Sequence, residues 1–353
     1  MRVAILGAGG TIAPAIVRDL AESDEVAELL LVDLDREKAQ ATADGHGGGK
    51  AAVADDVAGA DVVVNSAGYR INLDAMRSCL DAGAHYIDLG GLYWMTGKQL
   101  ELHEEFERAG LLAILGMGSS PGKTNVMAVR AARALGVARL ETVDVSAGGR
   151  DLDPPEGESF PYALQTLVDE LTMKPIVVRG GEPVEIEPMS PGGTVRFADP
   201  IGEGDTIHTI HSEMRTFPES FGCREATFRL SLAPTLLERL RELAAVGDEE
   251  RAAAAAAAKP PSGATVSSHV VEVSARGRVA RVTSFTPPYE AWGLGGGIVS
   301  TAAPAAAAVR LLARGEIEAR GALPPERCID PDALFPELER RGNRIETVTE
   351  VPA

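Results

Sequence analysis

Three glycines lie in the turn that follows the first apolar stretch of the chain, residues 2–6: Gly7, Gly9 and Gly10. Glycines between a strand and a helix let the backbone approach a pyrophosphate, which the N–H groups at the helix start then hold. The commonest dinucleotide fingerprint has a further glycine where this chain has Ile12. Small residues at Gly7, Gly10 and Ala13 form an alternative spacing. The pattern therefore predicts a dinucleotide-binding turn.

An acidic residue lies near the end of the second predicted strand, residues 28–35. A carboxylate there, Asp33, accepts hydrogen bonds from the adenosine ribose hydroxyls, which favours NAD. Arg36 suits a 2′-phosphate, so NADP remains the alternative. Residues 65–67 follow an apolar strand and either contact the nicotinamide half or form an ordinary loop. The predicted cofactor contacts are Gly7, Gly9, Gly10, Thr11, Ile12, Asp33, Asn65, Ser66, Ala67 and Gly118.

Three side chains that can transfer a proton are the predicted catalytic residues: Asp88, Lys123 and His211. Asp88 ends an apolar strand and is either a base or ammonium anchor, or a helix cap or surface carboxylate. Lys123 lies in the loop GMGSSPGKTN, and a lysine removed from water has a pKa low enough for acid–base work. The alternatives are that Lys123 holds a substrate carboxylate or is solvated. The sequence alone does not show which of the three is the acid–base group.

A second polar cluster, residues 206–217, either supplies substrate contacts or has only the polarity of a strand end. Arg215 suits bidentate capture of a carboxylate, and Glu213 suits an amine. His208 and His211 are three residues apart and face opposite sides of a strand, so we predict no metal site. The predicted substrate contacts are Tyr93, Trp94, Asn125, Glu213 and Arg215.

These side chains need a framework, and the order of apolar segments predicts one. Strands and helices alternate through residues 1–125, and the strands are continuous apolar runs, as in a sheet covered on both faces. We predict an α/β fold with a Rossmann-type doubly wound parallel sheet in this part. Residues 126–290 predict an α+β domain with a largely antiparallel sheet, including a hairpin around 275–277. The helical C-terminal segment, residues 291–353, is predicted to return to the first domain.

Composition excludes several classes of protein. With 52 acidic and 34 basic residues the formal charge is -18, which argues against nucleic-acid and anionic-membrane partners. Three distant cysteines predict neither a disulfide framework nor a zinc site. The chain starts directly in a strand, without the layout of a signal peptide, so we expect a cytoplasmic protein.

Two motifs carry a family resemblance: YIDLGG at residues 86–91 and GMGSSPGKTN at residues 116–125. With the glycine turn, they resemble the saccharopine dehydrogenase-like oxidoreductases, including the saccharopine reductases, L-lysine 6-dehydrogenases and carboxynorspermidine dehydrogenases. The motif G-x-x-P-G-x-[ST]-N of that family corresponds to Gly118, Pro121, Gly122, Thr124 and Asn125. The resemblance covers about residues 1–130 and touches residues 328–345, whereas the middle domain is only weakly similar.

The resemblance implies NAD(P)-dependent oxidation or reduction at a C–N bond of a small amino acid or amine. L-Lysine 6-dehydrogenase or saccharopine reductase activity is the leading expectation. A carboxynorspermidine-type polyamine dehydrogenase and a catalytically silent NAD-binding sensor are the alternatives. The resemblance also implies a homodimer formed through the second domain.

Overall fold

The computed structural model describes residues 1–350 of the chain. They form two compact units. The first consists of Met1–Lys123 and Ser300–Arg341, and the second of Thr124–Val299 and the chain from Gly342 onward. The predicted C-terminal segment, residues 291–353, is therefore divided between the units, because its last strand pairs with the second sheet.

Sixteen strands form the two sheets. In chain order they are β1 (Arg2–Leu6), β2 (Glu28–Val32), β3 (Ala51–Val53), β4 (Val62–Asn65), β5 (His85–Asp88), β6 (Leu112–Ile114), β7 (Thr142–Asp151), β8 (Ile176–Arg179), β9 (Glu182–Glu185), β10 (Pro191–Arg196), β11 (Glu203–His208), β12 (Glu225–Ser231), β13 (Thr265–Ala275), β14 (Arg278–Thr286), β15 (Gly321–Leu323) and β16 (Arg344–Glu350).

The α-helices are α1 (Ala13–Ala21), α2 (Arg36–His46), α3 (Asn72–Ala82), α4 (Leu92–Leu100), α5 (His103–Arg108), α6 (Lys123–Leu135), α7 (Leu164–Thr172), α8 (Glu213–Phe221), α9 (Pro234–Ala245), α10 (Asp248–Ala257), α11 (Gly296–Ala313), α12 (Pro325–Cys328) and α13 (Pro331–Glu339). The helix predicted near Thr11 begins two residues later, at Ala13. Pro14 lies in its first turn, where a missing N–H breaks no helical hydrogen bond.

The sheet of the first unit has seven parallel strands in the order β15-β6-β5-β4-β1-β2-β3. The strand order reverses between β1 and β4, and doubly wound sheets bind ligands beyond the carboxyl ends of the strands at such a point. The inner strands are buried, as their continuous apolar sequences predict. The predicted Rossmann-type sheet is confirmed, and β15 brings the C-terminal segment to its edge through β6.

Helix α11 contributes a largely apolar surface to the fold. By length and composition alone it is the one described helix that could cross a membrane, and 78% of it is buried inside the fold. Its Arg310 donates hydrogen bonds of 2.7 Å to Asp19 on α1 and to Glu337 on α13, and all three side chains are buried. This ion pair network fixes the C-terminal helices of the first unit against α1.

The sheet of the second unit is mixed. Strands β7 and β12 pair in parallel, whereas the other pairs are antiparallel. The predicted hairpin is present as β13 and β14, joined by Arg276 and Gly277. Strand-end polarity is one of the two interpretations of residues 206–217, but residues 213–217 lie in α8. The apolar residues Met214, Phe217 and Phe221 recur there at helical spacing on the buried face, and this periodicity determines the helix.

Candidate functional site

The glycine turn lies between β1 and α1 in the first unit. Gly7 has a φ of +74°, and its N–H donates to the carbonyl of Val32 at 3.0 Å. A Cβ at Gly7 would lie 2.7 Å from the backbone nitrogen of Ala67. Only glycine fits this conformation and this approach, so the turn lies directly against the loop that follows β4.

Asp33 is held at the same turn. Its Oδ2 accepts a hydrogen bond of 2.8 Å from the N–H of Gly9, and its Oδ1 accepts one of 2.8 Å from the N–H of Asp35. A carboxylate has about four acceptor positions, so both oxygens retain capacity for ribose hydroxyls. A Cβ at Gly9 would lie 3.3 Å from Asp33 Oδ2, so the missing side chain leaves the carboxylate accessible to the turn.

The start of α1 is suited to phosphate. Gly10 and Thr11 are exposed, and the N–H of Gly10 donates to the carbonyl of Gly7 at 3.0 Å. Within the described residues no side chain caps α1. Pro14 has no N–H and the Ala15 N–H donates to the carbonyl of Ile12 at 3.1 Å, so the Ala13 N–H is the group of this helix start that can meet an anion. Ile12 is 8% exposed and belongs to the core, not to the space above the turn. This arrangement fits a dinucleotide pyrophosphate.

The loop after β4 contributes backbone more than side chains to the turn. Ser66 Oγ donates to the carbonyl of Leu6 at 2.8 Å, and this bond ties the loop to the end of β1. Asn65 is buried, and its Nδ2 donates to Asn72 Oδ1 at 2.9 Å. The predicted residues 65–67 and the glycine turn are thus together, with the Asn65 amide directed into the protein.

Asp88 is the centre of a buried hydrogen-bond network. Its carboxylate accepts hydrogen bonds from the N–H groups of Gly90 (2.9 Å) and Gly116 (2.7 Å) and from the side chains of Asn72 (3.2 Å), Gln99 (2.6 Å) and Tyr86. Burial raises the pKa of Asp88, and hydrogen bonds from Gln99 and Gly116 oppose that shift. With five protein donors, this carboxylate has little capacity left for a substrate.

Lys123 lies at the start of α6, in the loop that Asp88 helps to position. Its side chain is fully buried, and Nζ donates a hydrogen bond of 2.7 Å to Ser300 Oγ on α11. Burial lowers the pKa of Lys123 to about 7. The loop itself is closed by Gly118, whose N–H donates to the carbonyl of Pro121 and whose carbonyl accepts from the Lys123 N–H, both at 2.9 Å. A lysine in this state exchanges a proton near neutral pH.

Tyr93 and Trp94 lie in α4. Their rings meet edge to face with centroids 4.8 Å apart. Tyr93 is buried, whereas Trp94 is 50% exposed. Tyr93 therefore packs within the unit, and Trp94 presents an aromatic surface to solvent.

In the second unit, His211 and Glu213 form a buried pair. His211 Nδ1 is hydrogen-bonded to Glu213 Oε2, and Thr124 Oγ1 donates to Glu213 Oε1 at 2.9 Å. The imidazole stacks on Phe228 with the ring centroids 3.6 Å apart. Glu213 therefore lies at the first turn of α8 with both carboxylate oxygens engaged. Arg215, two residues later, is exposed.

Three further residues have contacts that bear on the candidate site, although the sequence did not indicate them: Ser300, Glu170 and Tyr162. Glu170 is buried on α7, accepts a hydrogen bond of 2.5 Å from the Tyr162 hydroxyl, and interacts electrostatically with His211. Burial raises the pKa of Glu170 to about 7. An acid inside the apolar pattern LQTLVDEL was a signal for Glu170, whereas nothing local marks Ser300.

Among residues 1–350, no group of three or more His, Cys, Asp or Glu side chains is arranged to hold a metal ion. The polar groups described above are instead linked to one another by hydrogen bonds. The chemistry available to them is proton transfer and ion pairing.

Comparison with known proteins agrees with this geometry. Residues 3–114 match the family model described as the saccharopine dehydrogenase NADP binding domain. A carboxyaminopropylagmatine dehydrogenase from Synechocystis sp. is 27% identical over 200 residues, which are 54% of this chain and 48% of that protein. The matched region thus spans about half the length of that relative.

The fold also resembles a solved structure over its whole length. Apo histidine-tagged saccharopine dehydrogenase (L-Glu forming) from Saccharomyces cerevisiae aligns with a TM-score of 0.68 and 16% identity, covering 99% of each chain. At this identity the likeness concerns the fold alone. The predicted nicotinamide dinucleotide cofactor, NAD or NADP, is supported by the matched domain. Residues 3–114 are thus similar to the NADP-binding domain of the saccharopine dehydrogenases.

Proposed function

We propose that this chain is an NAD(P)-dependent dehydrogenase that acts on a C–N bond of an amino acid or amine. The observation that carries the proposal is Lys123, a fully buried lysine with a pKa of about 7, in the unit that has the dinucleotide turn. The matched relative and the structural neighbour are both named dehydrogenases of nitrogen-containing substrates.

The cofactor is held by the turn and by Asp33. The bound nicotinamide supplies one chemistry, which is to accept or return a hydride. Asp33 favours NAD because its carboxylate would repel a 2′-phosphate. Arg36, the group suited to NADP, is ion-paired with Asp55. We therefore propose NAD as the preferred cofactor and NADP as the alternative.

Lys123 acts as the acid–base group. An amine must be neutral before its carbon can release a hydride, and a lysine with a pKa of about 7 is a suitable proton acceptor. Ser300 holds the Lys123 nitrogen in place through the 2.7 Å hydrogen bond. Asp88 positions the loop through Gly116. Of the three predicted catalytic residues, we therefore assign the proton transfer to Lys123.

The second unit has a buried acidic cluster of its own, which suits a cationic ligand. Glu213 and His211 are buried and hydrogen-bonded, and Glu170 adds a further carboxyl group that interacts with both of them electrostatically. Such groups suit an ammonium or guanidinium. The name of the Synechocystis relative describes an agmatine derivative with a carboxyaminopropyl group. This likeness favours a carboxylated polyamine as the second candidate substrate, beside L-lysine and saccharopine.

A substrate screen with both cofactors tests the proposal. L-Lysine, saccharopine and carboxylated polyamines are each incubated with NAD and with NADP, and formation of the reduced cofactor is followed. We expect turnover with at least one amine class. A Glu213→Gln variant should raise KM with little change in cofactor affinity, and Glu219→Gln on the same helix is the matched control, since Glu219 is exposed.

Melting temperatures with NADH and NADPH complete the screen. Stabilisation by either nucleotide without turnover of any amine would favour the silent sensor. The absence of stabilisation by both would contradict the dehydrogenase. The family resemblance also implies a homodimer, and sedimentation equilibrium tests that expectation separately.

A further inference from the structure

The second unit contains a cleft of about 400 Å³ where three connecting segments meet. Arg139 lies between α6 and β7, Arg224 precedes β12, and Arg276 lies in the turn between β13 and β14. All three line the cleft, and all three are exposed. The chain thus brings three guanidinium groups together from segments that are distant in sequence.

None of these guanidinium groups is paired within residues 1–350. Elsewhere in this chain of 52 acidic and 34 basic residues, arginines such as Arg239 and Arg281 pair with glutamates. Glu141 is the carboxylate in the lining of the cleft, and its Oε1 accepts a hydrogen bond of 3.0 Å from the backbone N–H of Arg276. The cleft therefore has a net positive charge on an otherwise acidic protein.

The backbone at Arg276 is strained. Arg276 has a φ of +54° and Gly277 a φ of +69°, so the two-residue loop requires left-handed conformations at both positions. Asparagine, aspartate and glycine are preferred at the first of them. An arginine there adopts an unfavourable conformation, and its side chain lines the cleft.

Arg139 is positioned by a glycine. Gly222 ends α8 with a φ of +61°, and a Cβ at this position would lie 2.7 Å from Arg139 Nε. Glycine at the helix end therefore leaves room for the guanidinium of Arg139 against the backbone. The guanidinium of Arg139 therefore lies beside Gly222 at the cleft.

We propose that this cleft binds a small oxyanion with two or more negative charges, in the class of phosphorylated or polycarboxylated metabolites. Guanidinium groups pair bidentately with phosphate and carboxylate oxygens. The volume is in the range of small-molecule sites, which begins at about 300 Å³. None of the residues proposed to contact the substrate or the cofactor lines this cleft, so it is a second binding site.

Titration calorimetry with pyrophosphate and with citrate, at constant ionic strength set by sodium chloride, tests the site. The variants are Arg224→Gln and Arg276→Asn, and the matched control is Arg179→Gln, which removes an exposed arginine outside the cleft. We expect saturable binding that weakens at least fivefold in each variant and changes less than twofold in the control. Since asparagine suits the turn better than arginine, Arg276→Asn should melt no lower than the parent protein, and lost binding is then not lost folding.

Comparing pyrophosphate with citrate shows whether the ligand is phosphorylated or polycarboxylated. Binding of pyrophosphate alone assigns a phosphorylated ligand, binding of citrate alone assigns a polycarboxylate, and both outcomes support the site. The proposal is overturned if neither anion binds beyond the effect of sodium chloride. It is also overturned if binding survives both substitutions, which would place the anion elsewhere, for example at the glycine turn. Binding of a poly-glutamate peptide without either small anion would assign an acidic macromolecule instead.

Discussion

Lys123 Nζ lies 2.7 Å from Ser300 Oγ, although 177 residues separate them in the chain. Both side chains are fully buried, so the lysine has lost most of its hydration. A hydroxyl accepts a hydrogen bond from the ammonium form and donates one to the neutral amine, so Ser300 serves both protonation states of Lys123. The pair therefore has the properties of a proton-exchanging group held in a fixed position.

The buried lysine should make stability depend on pH. Its pKa is about 7 in the folded chain and near the ordinary value of 10.5 when unfolded. Between these values the unfolded chain binds one more proton, so the free energy of unfolding rises as pH rises from about 7 to about 10. We expect Lys123→Met to remove this rise. Urea unfolding at a series of pH values measures this dependence. If the free energy of unfolding of Lys123→Met rises with pH as steeply as that of the parent, the lowered pKa of Lys123 is contradicted.

Asp33 should contribute directly to cofactor affinity. Replacing it by alanine removes the ribose acceptor and should weaken NADH binding by about 1–3 kcal/mol. NADPH should lose less affinity, because the negative charge near the 2′-phosphate is also removed. Fluorescence titration with NADH and with NADPH measures the ratio of the two affinities. Asp24→Asn is the control, since Asp24 is exposed, and equal losses in the two variants would refute the role of Asp33.

Alanine substitutions at Gly7 and Gly45, both in the first unit, form a matched pair of tests. A side chain at Gly7 meets the Ala67 backbone in a left-handed conformation, whereas one at Gly45 in α2 meets nothing within 4 Å. We expect Gly7→Ala to destabilise the fold by about 2 kcal/mol or more and to abolish nucleotide binding. Gly45→Ala should stabilise by about 0.5–1 kcal/mol. Thermal melting with and without NADH compares them, and a tolerated Gly7→Ala would rule out the close approach.

An Asp88→Asn variant tests whether the Asp88 carboxylate has a structural role or acts as the catalytic base. With five protein donors on its oxygens, Asp88→Asn should destabilise the fold by about 2–3 kcal/mol, because an amide nitrogen then faces donors. The pH dependence of any remaining activity should be unchanged. Asp81→Asn, an exposed position, should be neutral. A fully stable Asp88→Asn protein that loses one limb of its pH profile would identify Asp88 as the base.

Much of the first unit follows from local sequence, and some of the site does not. The glycine turn, Asp33 and the buried strands are contiguous patterns with a direct physical meaning, so they were predicted. Ile12 was an apparent exception to the fingerprint, and its burial agrees with the alternative spacing through Ala13. These features depend on backbone conformation within about thirty residues.

The unpredicted features depend on contacts between distant segments. Nothing in the sequence around Ser300 indicates a functional role, because a serine in an apolar helix usually has none. Its hydrogen bond with Lys123 joins residues that are distant in sequence and is visible only in the folded structure. Helix α8 was missed because the alternating residues before it favour a strand, while tertiary packing of Met214 and Phe217 favours a helix. Glu213 consequently lies in the first turn of a helix, where it meets Thr124.

The central claim is that Lys123 transfers a proton in an NAD(P)-dependent oxidation of an amine. The most direct measurement is the rate of cofactor reduction across pH for the parent protein, Lys123→Met and Ser300→Ala, with NADH affinity measured alongside. We expect the parent rate to rise through a pH of about 7 and Lys123→Met to lose about a hundredfold or more in kcat with NADH binding intact. Ser300→Ala should move the rise to lower pH, since the ammonium form loses its acceptor, and Ser300→Thr should restore it. A Lys123→Met protein that keeps the parent rate and pH profile would contradict the account.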